Sequence, residues 1–179
     1  EALHVILVQM VTVLRGGMPI PMSKRSGEFV TLAEVMDEVG TDAARFIFLT
    51  RRSDSPLDFD LEVAKAQSME NPVYYVQYAH ARLSSVLREA EKAGVPGPYL
   101  EAPLALLDQP EEISLLKHLA LYPEMVEAAA VTYEPHRMPA YLQNVAGELH
   151  GYYNKYRIIG ADRPLSQARL ALVSATRTV

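Results

Sequence analysis

The chain has 179 residues, of which 49% are hydrophobic, a formal net charge of −5, and no cysteine. This length can bury one good core and a small second unit. No apolar run reaches the roughly 20 residues of a membrane span, and the absence of cysteine excludes disulfides and thiolate metal sites. The five histidines show no ligand spacing, so we expect no metal site. Composition therefore predicts a soluble, cytoplasmic, globular protein.

Charge is unevenly distributed along the chain. Residues 1 to 70 hold 7 Lys and Arg against 11 Asp and Glu, whereas residues 135 to 179 hold 6 against 2. The net charge by itself argues against a nucleic-acid partner, but a locally basic face is enough to bind phosphates. The sequence also starts in an apolar pattern without Met and stops in helical rhythm without a cap, which predicts a fragment of a longer protein.

The first predicted elements are helices. Residues 2–14 are apolar nearly all round, which indicates a buried helix ending at a glycine pair, Gly16 and Gly17. A polar, basic loop, PMSKRSG, follows at residues 21–27. Thr31 with Glu34 forms a capping-box pattern that opens the next helix.

That helix is predicted to run through Val39 and to stop at Gly40. Thr41 or Asp42 can cap the helix that follows, AARFIFLTRR. The turn-rich stretch SDSPLDFD, residues 53–60, is interpreted as a connector, because Pro56 lacks a donor and disfavours helix at the residue before it.

From Leu61 onward the pattern predicts long helices only. No segment shows the strict two-residue alternation of a half-buried strand, so the fold class is all-α, with an antiparallel bundle over residues 61–179. Pro123 interrupts one of these helices and Pro164 opens the last. The predicted segments are Leu61 to about Met69, Asn71 to Gly94 with Asn71 as cap, 111–132, 138–156 and 165–179.

The loop at 21–27 has the chemistry of a phosphate-binding loop. Ser23 and Ser26 offer hydroxyls, and Lys24 and Arg25 offer cationic donors on long stems. The alternative is a solvated surface turn, since the loop lacks the glycine and lysine spacing of a P-loop.

The helix that begins at Asn71 carries aromatic residues on one face. Tyr75, Tyr78 and Arg82 lie at i, i+3 and i+7. One interpretation is a bundle core whose tyrosine hydroxyls reach the rim. The other is an RNA-binding face, with aromatic platforms for unstacked bases and a guanidinium for phosphate.

A family resemblance connects these features. MSKRSG resembles the Lys-Met-Ser-Lys-Ser loop, the second signature of class I aminoacyl-tRNA synthetases. The runs LVQMVTVLRGG, GEFVTLAEVMDEVGTDAARF, SPLDFDLEVAKAQSMENPVYYVQYAHARL and LHGYYNKYRII together resemble arginyl-tRNA synthetase through almost the whole chain. The cysteinyl enzyme has a similar loop and connector, but the NPVYYVQYAHAR helix resembles the arginyl family specifically.

The resemblance implies an ATP-dependent arginine–tRNA ligase. Residues 1–58 would be the tail of its nucleotide-binding catalytic domain, and residues 59–179 its anticodon-binding helical bundle, truncated at the C-terminus. ATP with Mg²⁺, L-arginine and an arginine tRNA are the implied ligands, with no membrane or DNA partner and a monomeric state. The family's His-Ile-Gly-His motif and arginine pocket are absent from these residues, so we expect the chain alone to be inactive.

The resemblance also implies site residues. Ser23 and Lys24 match the catalytic positions of the loop, and Pro21 stands where the family has its first Lys. The segment DAAR, residues 42–45, differs by one residue from the Asp-Ala-Leu-Arg signature of the domain, a change that would affect packing. ATP-binding positions are Met22, Ser23, Lys24 and Arg25; tRNA-binding positions are Tyr75, Tyr78, Arg82, Tyr153, Lys155 and Arg157.

Two rival hypotheses stay open at this point. The chain could be a free-standing helical RNA-binding or protein-interaction module, or part of another class Ia synthetase such as the cysteinyl enzyme.

Overall fold

A computed structural model describes residue 3 and residues 5–21, 30–160 and 162–179. The chain divides into two compact units. The first unit comprises Glu1–Tyr75 with Ala128–Ala140, and the second comprises Val76–Glu127 with Tyr141–Val179. The functional boundary expected between residues 58 and 59 stays a prediction.

The described residues are mostly helical, with one small sheet and a short 3₁₀ turn at Leu104–Leu106. The strands are β1 (Val11–Arg15), β2 (Met18–Pro19) and β3 (Leu57–Asp60). The helices are α1 (Leu32–Val39), α2 (Thr41–Phe48), α3 (Leu61–Lys65), α4 (Pro72–Lys92), α5 (Pro110–Ala120), α6 (Tyr122–Val131), α7 (Arg137–Lys155) and α8 (Arg163–Thr178).

The sheet has the order β2-β1-β3. Strand β1 is antiparallel to β2 and parallel to β3, with Val11 opposite Leu57. Gly16 and Gly17, at φ 59° and 79°, form the two-residue turn between β1 and β2. Positive φ at both positions is what a type I′ hairpin turn requires, and glycine supplies it without steric cost.

The helix predicted over residues 2–14 is therefore wrong. Residues 5–10 lie in neither helix nor strand, and Leu7 is 83% exposed. A continuous apolar run does not distinguish helix from strand by periodicity, and this one is rich in valine, which favours strands. The pairing of β1 with β3, more than 40 positions later, decides the outcome.

The connector predicted over residues 53–60 is wrong in its second half. LDFD alternates apolar and acidic residues, and in β3 Leu57 and Phe59 are buried while Asp58 is exposed. Phe59 stacks on Phe48 with ring centroids 5.0 Å apart. The strand thus supplies the centre of the first core, whose buried members are Val35, Ala44, Leu57, Phe59, Leu61 and Ala64.

Local capping explains where α1 begins and ends. Glu34 N donates to Thr31 Oγ1 at 3.2 Å and Thr31 N donates to Glu34 Oε2 at 2.7 Å, so the predicted capping box is confirmed. Gly40, at φ 85°, ends the helix as predicted. The cap predicted for α2 is wrong, because α2 already includes Thr41, and Gly40 occupies the N-cap without a side-chain bond.

Asn71 caps α4 as predicted. Its Oδ1 accepts from Val73 N at 3.0 Å, while its Nδ2 donates to the carbonyl oxygens of Ala64 (3.0 Å) and Ala66 (2.8 Å). The buried amide therefore holds the end of α3 against the start of α4, all within the first unit. Gly94, at φ 75°, follows the end of α4 as the predicted stop.

The second unit is built from helices. A break between α5 and α6 at Leu121 confirms the predicted interruption near Pro123. The fold class is confirmed as mainly helical, apart from the small sheet of the first unit. The core of the second unit draws from four helices and consists chiefly of Leu83, Val86, Leu87, Ala90, Leu115, Val145, Ala146, Leu149, Tyr152, Ala168, Leu170, Leu172 and Val173.

Candidate nucleic-acid interface

Four side chains of α4 and α7 form a cluster in the second unit, which we call the aromatic–arginine cluster: Tyr78, Arg82, His150 and Tyr153. The Cζ atom of Arg82 lies 4.0 Å from the ring centroid of Tyr153 and 5.5 Å from that of Tyr78. Arg82 Nη1 is 3.4 Å from His150 Nδ1, and the rings of Tyr78 and His150 are 5.6 Å apart. The predicted residues Tyr78, Arg82 and Tyr153 are thus brought together.

The cluster lies at the surface. Tyr78 is 38% exposed, Arg82 and Tyr153 are half-buried, and His150 is buried. A guanidinium close to two tyrosine rings gains cation–π attraction, which holds the long arginine side chain against the rings. The surface therefore combines aromatic rings with a positioned positive charge, the two elements that single-stranded nucleic acid requires.

Tyr75 lies one turn before Tyr78 on α4. It is half-buried and belongs to the first unit, so it is not counted in the cluster. Its predicted role in RNA binding stays a prediction.

Lys155, at the end of α7, is held by an acidic residue. Its Nζ donates to Glu111 Oε1, and Tyr156 Oη donates to Glu111 Oε2 at 2.7 Å. These bonds lower the pKa of Glu111 to about 2 and raise the pKa of Lys155 above its usual value. The ammonium predicted to meet phosphate thus already has a carboxylate partner.

Arg157 is exposed and held by the backbone around it. Its Nε donates to the carbonyl of Ile159 at 2.8 Å. Its guanidinium lies against Gly160, where a Cβ would come within 2.7 Å of Nη2. With φ at 94°, Gly160 is also in the left-handed region that favours glycine. The segment at residues 158–160 therefore holds the Arg157 side chain.

A buried ion pair lies beneath this segment. Arg169 Nε donates to Glu112 Oε1 at 2.8 Å, and the two side chains are 10% and 0% exposed. Tyr152 Oη donates to the same carboxylate oxygen at 3.2 Å, and burial is the main cause that raises the pKa of Tyr152. Arg169 Nη1 donates to the carbonyl of Arg157 at 2.8 Å. The pair thus connects α5 and α8 to the residues that follow α7.

Sequence reasoning missed His150, Glu112 and Arg169. His150 precedes Tyr153 by three residues, so helical spacing could have placed it on the same face. The pairing of Glu112 with Arg169 spans 57 positions, and no local pattern signals it.

Other predicted positions lie elsewhere. Met22, Ser23, Lys24 and Arg25 lie outside the described residues, so their predicted ATP contacts stay predictions. In the signature DAAR, Ala43 and Ala44 are buried in α2, and Ala44 belongs to the first core.

The described ranges lack two kinds of site. Within residues 5–21, 30–160 and 162–179, no group of three or more histidine, aspartate and glutamate side chains could hold a metal ion. No helix there is both long enough and apolar enough to cross a membrane.

Comparison with known protein families identifies an anticodon-binding class of domain in this chain. A model of the DALR anticodon binding domain matches residues 76–179, which is more than half of the chain and covers the aromatic–arginine cluster. The chain belongs to this family.

Three proteins that match nearly the whole chain are described as arginine–tRNA ligases or arginyl-tRNA synthetases. The arginine–tRNA ligase of Citrifermentans bemidjiense is 59% identical over 172 residues, covering 96% of this chain and 31% of the relative. The solved Thermus thermophilus arginyl-tRNA synthetase matches with a TM-score of 0.69 and 26% identity, over 95% of this chain and 32% of that one. A Campylobacter jejuni structure described as an arginyl-tRNA synthetase matches with a TM-score of 0.79 and 29% identity, and the match covers 96% of this chain and 37% of that one. The chain therefore spans about a third of the proteins it matches.

Proposed function

We propose that this chain is the anticodon-binding part, with the adjoining tail of the catalytic domain, of an ATP-dependent arginine–tRNA ligase. The observation that carries the proposal is the aromatic–arginine cluster, in which Arg82 lies beside the rings of Tyr78 and Tyr153 inside the region matched by the anticodon-binding family. The 59% identity to an arginine–tRNA ligase supports arginine as the amino acid that the enzyme attaches to tRNA.

The cluster would act on the anticodon loop of an arginine tRNA. Unstacked bases would stack on Tyr78 and Tyr153. Tyr75 is kept as a separate candidate for base stacking. Arg82 would hold a phosphate while its cation–π contacts keep it against the rings.

At the end of α7, Arg157 would add a second phosphate contact. Lys155 would contribute less, since its ammonium already pairs with Glu111.

The catalytic contribution would come from residues 21–27, which the sequence predicts to be a phosphate-binding loop. Ser23 and Lys24, with Met22 and Arg25 beside them, would hold the phosphates of ATP, which is expected to bind together with Mg²⁺, while arginine is adenylated. Residues 1–58 would complete a catalytic domain that also supplies the arginine pocket, and the full protein would act as a cytoplasmic monomer. The ATP role rests on the resemblance of MSKRSG to the synthetase loop and on the ligase relatives.

Binding of two tRNAs across a range of salt concentrations tests the proposal. An arginine tRNA and an anticodon-swapped version would be titrated with the full-length enzyme carrying Tyr78→Ala or Arg157→Ala. Loss of one stacking platform should cost roughly 1–3 kcal/mol of binding free energy at any salt concentration. It should also narrow the gap in affinity between the two tRNAs. Loss of Arg157 should instead flatten the slope of log affinity against log salt by somewhat under one unit and leave the gap intact.

Matched controls separate these effects from general damage. Tyr133→Ala removes another exposed tyrosine, and Arg88→Ala removes an exposed arginine that lies further along α4. Both should leave affinity, slope and the gap unchanged. Equal binding of both tRNAs by the unchanged enzyme would favour a general RNA-binding module, and a Tyr78→Ala enzyme that binds both as before would reject the cluster as the anticodon site.

A further inference from the structure

The buried Glu112–Arg169 pair is more than a core contact. Both oxygens of the Glu112 carboxylate are used: Oε1 accepts from Arg169 Nε and Tyr152 Oη, and Oε2 accepts from Gln109 N at 3.2 Å. Glu112 has no exposed surface. The carboxylate therefore holds the Arg169 guanidinium through its Nε.

The fixed guanidinium reaches the chain beyond α7. Its Nη1 donates to the carbonyl of Arg157 at 2.8 Å, and its Cζ lies 5.3 Å from the ring centroid of Tyr156. The last carbonyls of a helix and those just after it lack intrahelical partners, and a cation there is favoured by the helix dipole. Arg169 thus holds the main chain of Arg157 from the inside.

The outer side of the same residue is also positioned. Ile159 accepts from the Arg157 Nε, and Gly160 leaves the room that the guanidinium occupies. Arg169 holds the carbonyl of Arg157, and the segment at residues 158–160 holds its side chain, so Arg157 is constrained at both ends.

Stability alone does not account for the ion pair. Buried ion pairs are often replaceable by apolar side chains of similar volume without loss of stability, because desolvation offsets the attraction between the charges. An apolar pair in this core would, however, lack a donor for the Arg157 carbonyl. Only the charged pair provides a donor that holds the segment after α7 in position.

We propose that Glu112 and Arg169 are positioning residues, which hold Arg157 in the orientation in which its guanidinium contacts a tRNA phosphate. This inference rests on the proposed function. A preorganised donor loses less conformational entropy on binding, so the pair would raise tRNA affinity without touching RNA.

The test uses the double variant Glu112→Met/Arg169→Met in the full-length enzyme. Replacing both partners avoids leaving a lone buried charge, so thermal unfolding should occur within about 5 °C of the unchanged enzyme. Affinity for an arginine tRNA should fall about tenfold, the size expected for one charge-assisted hydrogen bond. The salt slope should flatten as it does in Arg157→Ala.

Combining variants separates positioning from general packing. In the double-variant background, adding Arg157→Ala should change affinity less than about twofold, because the contact is already lost. Adding Tyr78→Ala should still cost its full amount, because the contacts of the pair are with Gln109, Tyr152, Tyr156 and Arg157. If the affinity losses of Arg157→Ala and of the double variant multiply instead, the pair has a purely structural role and the inference is overturned.

Two further results keep the outcomes distinct. If Arg157→Ala alone leaves affinity and slope unchanged, the proposed role of Arg157 fails, and this inference fails with it. If Arg157→Ala weakens binding but the double variant binds fully, only the positioning inference fails. Should the double variant not fold, Arg169→Lys takes its place, since a lysine lacks the fork that reaches both partners; full affinity in that variant overturns the inference.

Discussion

Each unit contains an ion-pair network, and the two networks differ in exposure. In the first unit, Arg15 and Lys65 both pair with Glu38 and Glu62, at N to O distances of 2.6 to 3.0 Å. Those side chains are 31–49% exposed. In the second unit, Arg169 and Glu112 are 10% and 0% exposed.

This contrast separates two uses of charge. Exposed pairs are screened by water and salt, so they bias the arrangement of α1, α3 and β1 only mildly. The buried pair is not screened, and removing one partner leaves a charge that water cannot reach. The first network therefore has only a small effect on the arrangement of its unit. The second network determines the local geometry around the buried pair.

Removing one partner of the buried pair should have the largest effect. Arg169→Met strands the Glu112 carboxylate and should lower the free energy of unfolding by about 3–5 kcal/mol. Urea unfolding of the 179-residue chain, followed by helical circular dichroism, measures the loss. Glu112→Met/Arg169→Met is the matched control and should recover most of it. A loss below about 1 kcal/mol for the single variant would remove the contrast between the two networks.

The units should also differ in the step they serve. In the full-length enzyme, Lys24→Ala should lower the rate of adenylate formation by on the order of 10²–10³, because the charge donor proposed for the departing pyrophosphate would be lost. Binding of tRNA, assigned to the second unit, should not change. Pre-steady-state adenylation measures the rate; an unchanged rate with a raised KM for arginine would contradict the assignment.

The sequence predicts elements whose signals are local. Thr31 with Glu34 and Asn71 with Pro72 are capping patterns only a few residues long, and the structure forms both. The face shared by Tyr78 and Arg82 follows from helical periodicity alone.

Features that depend on distant partners were missed. Strand β1 exists because β3 pairs with it, and Glu112 is explained only by Arg169, 57 positions away. The alternation of LDFD was a local signal for β3, but it covers only four residues beside a proline turn. Local patterns thus predict most of the helices and the caps at Thr31 and Asn71, whereas strand pairing and buried ion pairs require the tertiary fold.

Neutralising the exposed network should have a smaller, salt-sensitive effect. Glu38 accepts from Arg15 through both oxygens and from Lys65, so Glu38→Gln should lower the thermal midpoint of the chain at low salt. Because screening weakens exposed pairs, the difference should shrink toward zero in about 1 M salt, where the Debye length is about 3 Å. Glu101→Gln, at an exposed loop residue, should have no effect at either salt concentration.

The smallest expected effect is on the acid limb of stability. Hydrogen bonds from Lys155 and Tyr156 hold the pKa of Glu111 at about 2, against 4.5 for an ordinary glutamate, and those from Arg15 and Lys65 do the same for Glu38. A carboxylate with a depressed folded pKa binds protons more tightly in the unfolded chain. Its stabilisation is therefore complete above about pH 4.5 and is lost as the pH falls toward about 2. Glu111→Gln should reduce the pH dependence of the urea midpoint between about pH 2 and pH 4.5. Above about pH 4.5 the pH dependence of the midpoint should be the same as in the unchanged chain. A variant with the same acid limb as the unchanged chain would show that Lys155 does not hold Glu111 in solution, and would return Lys155 to the phosphate-binding candidates.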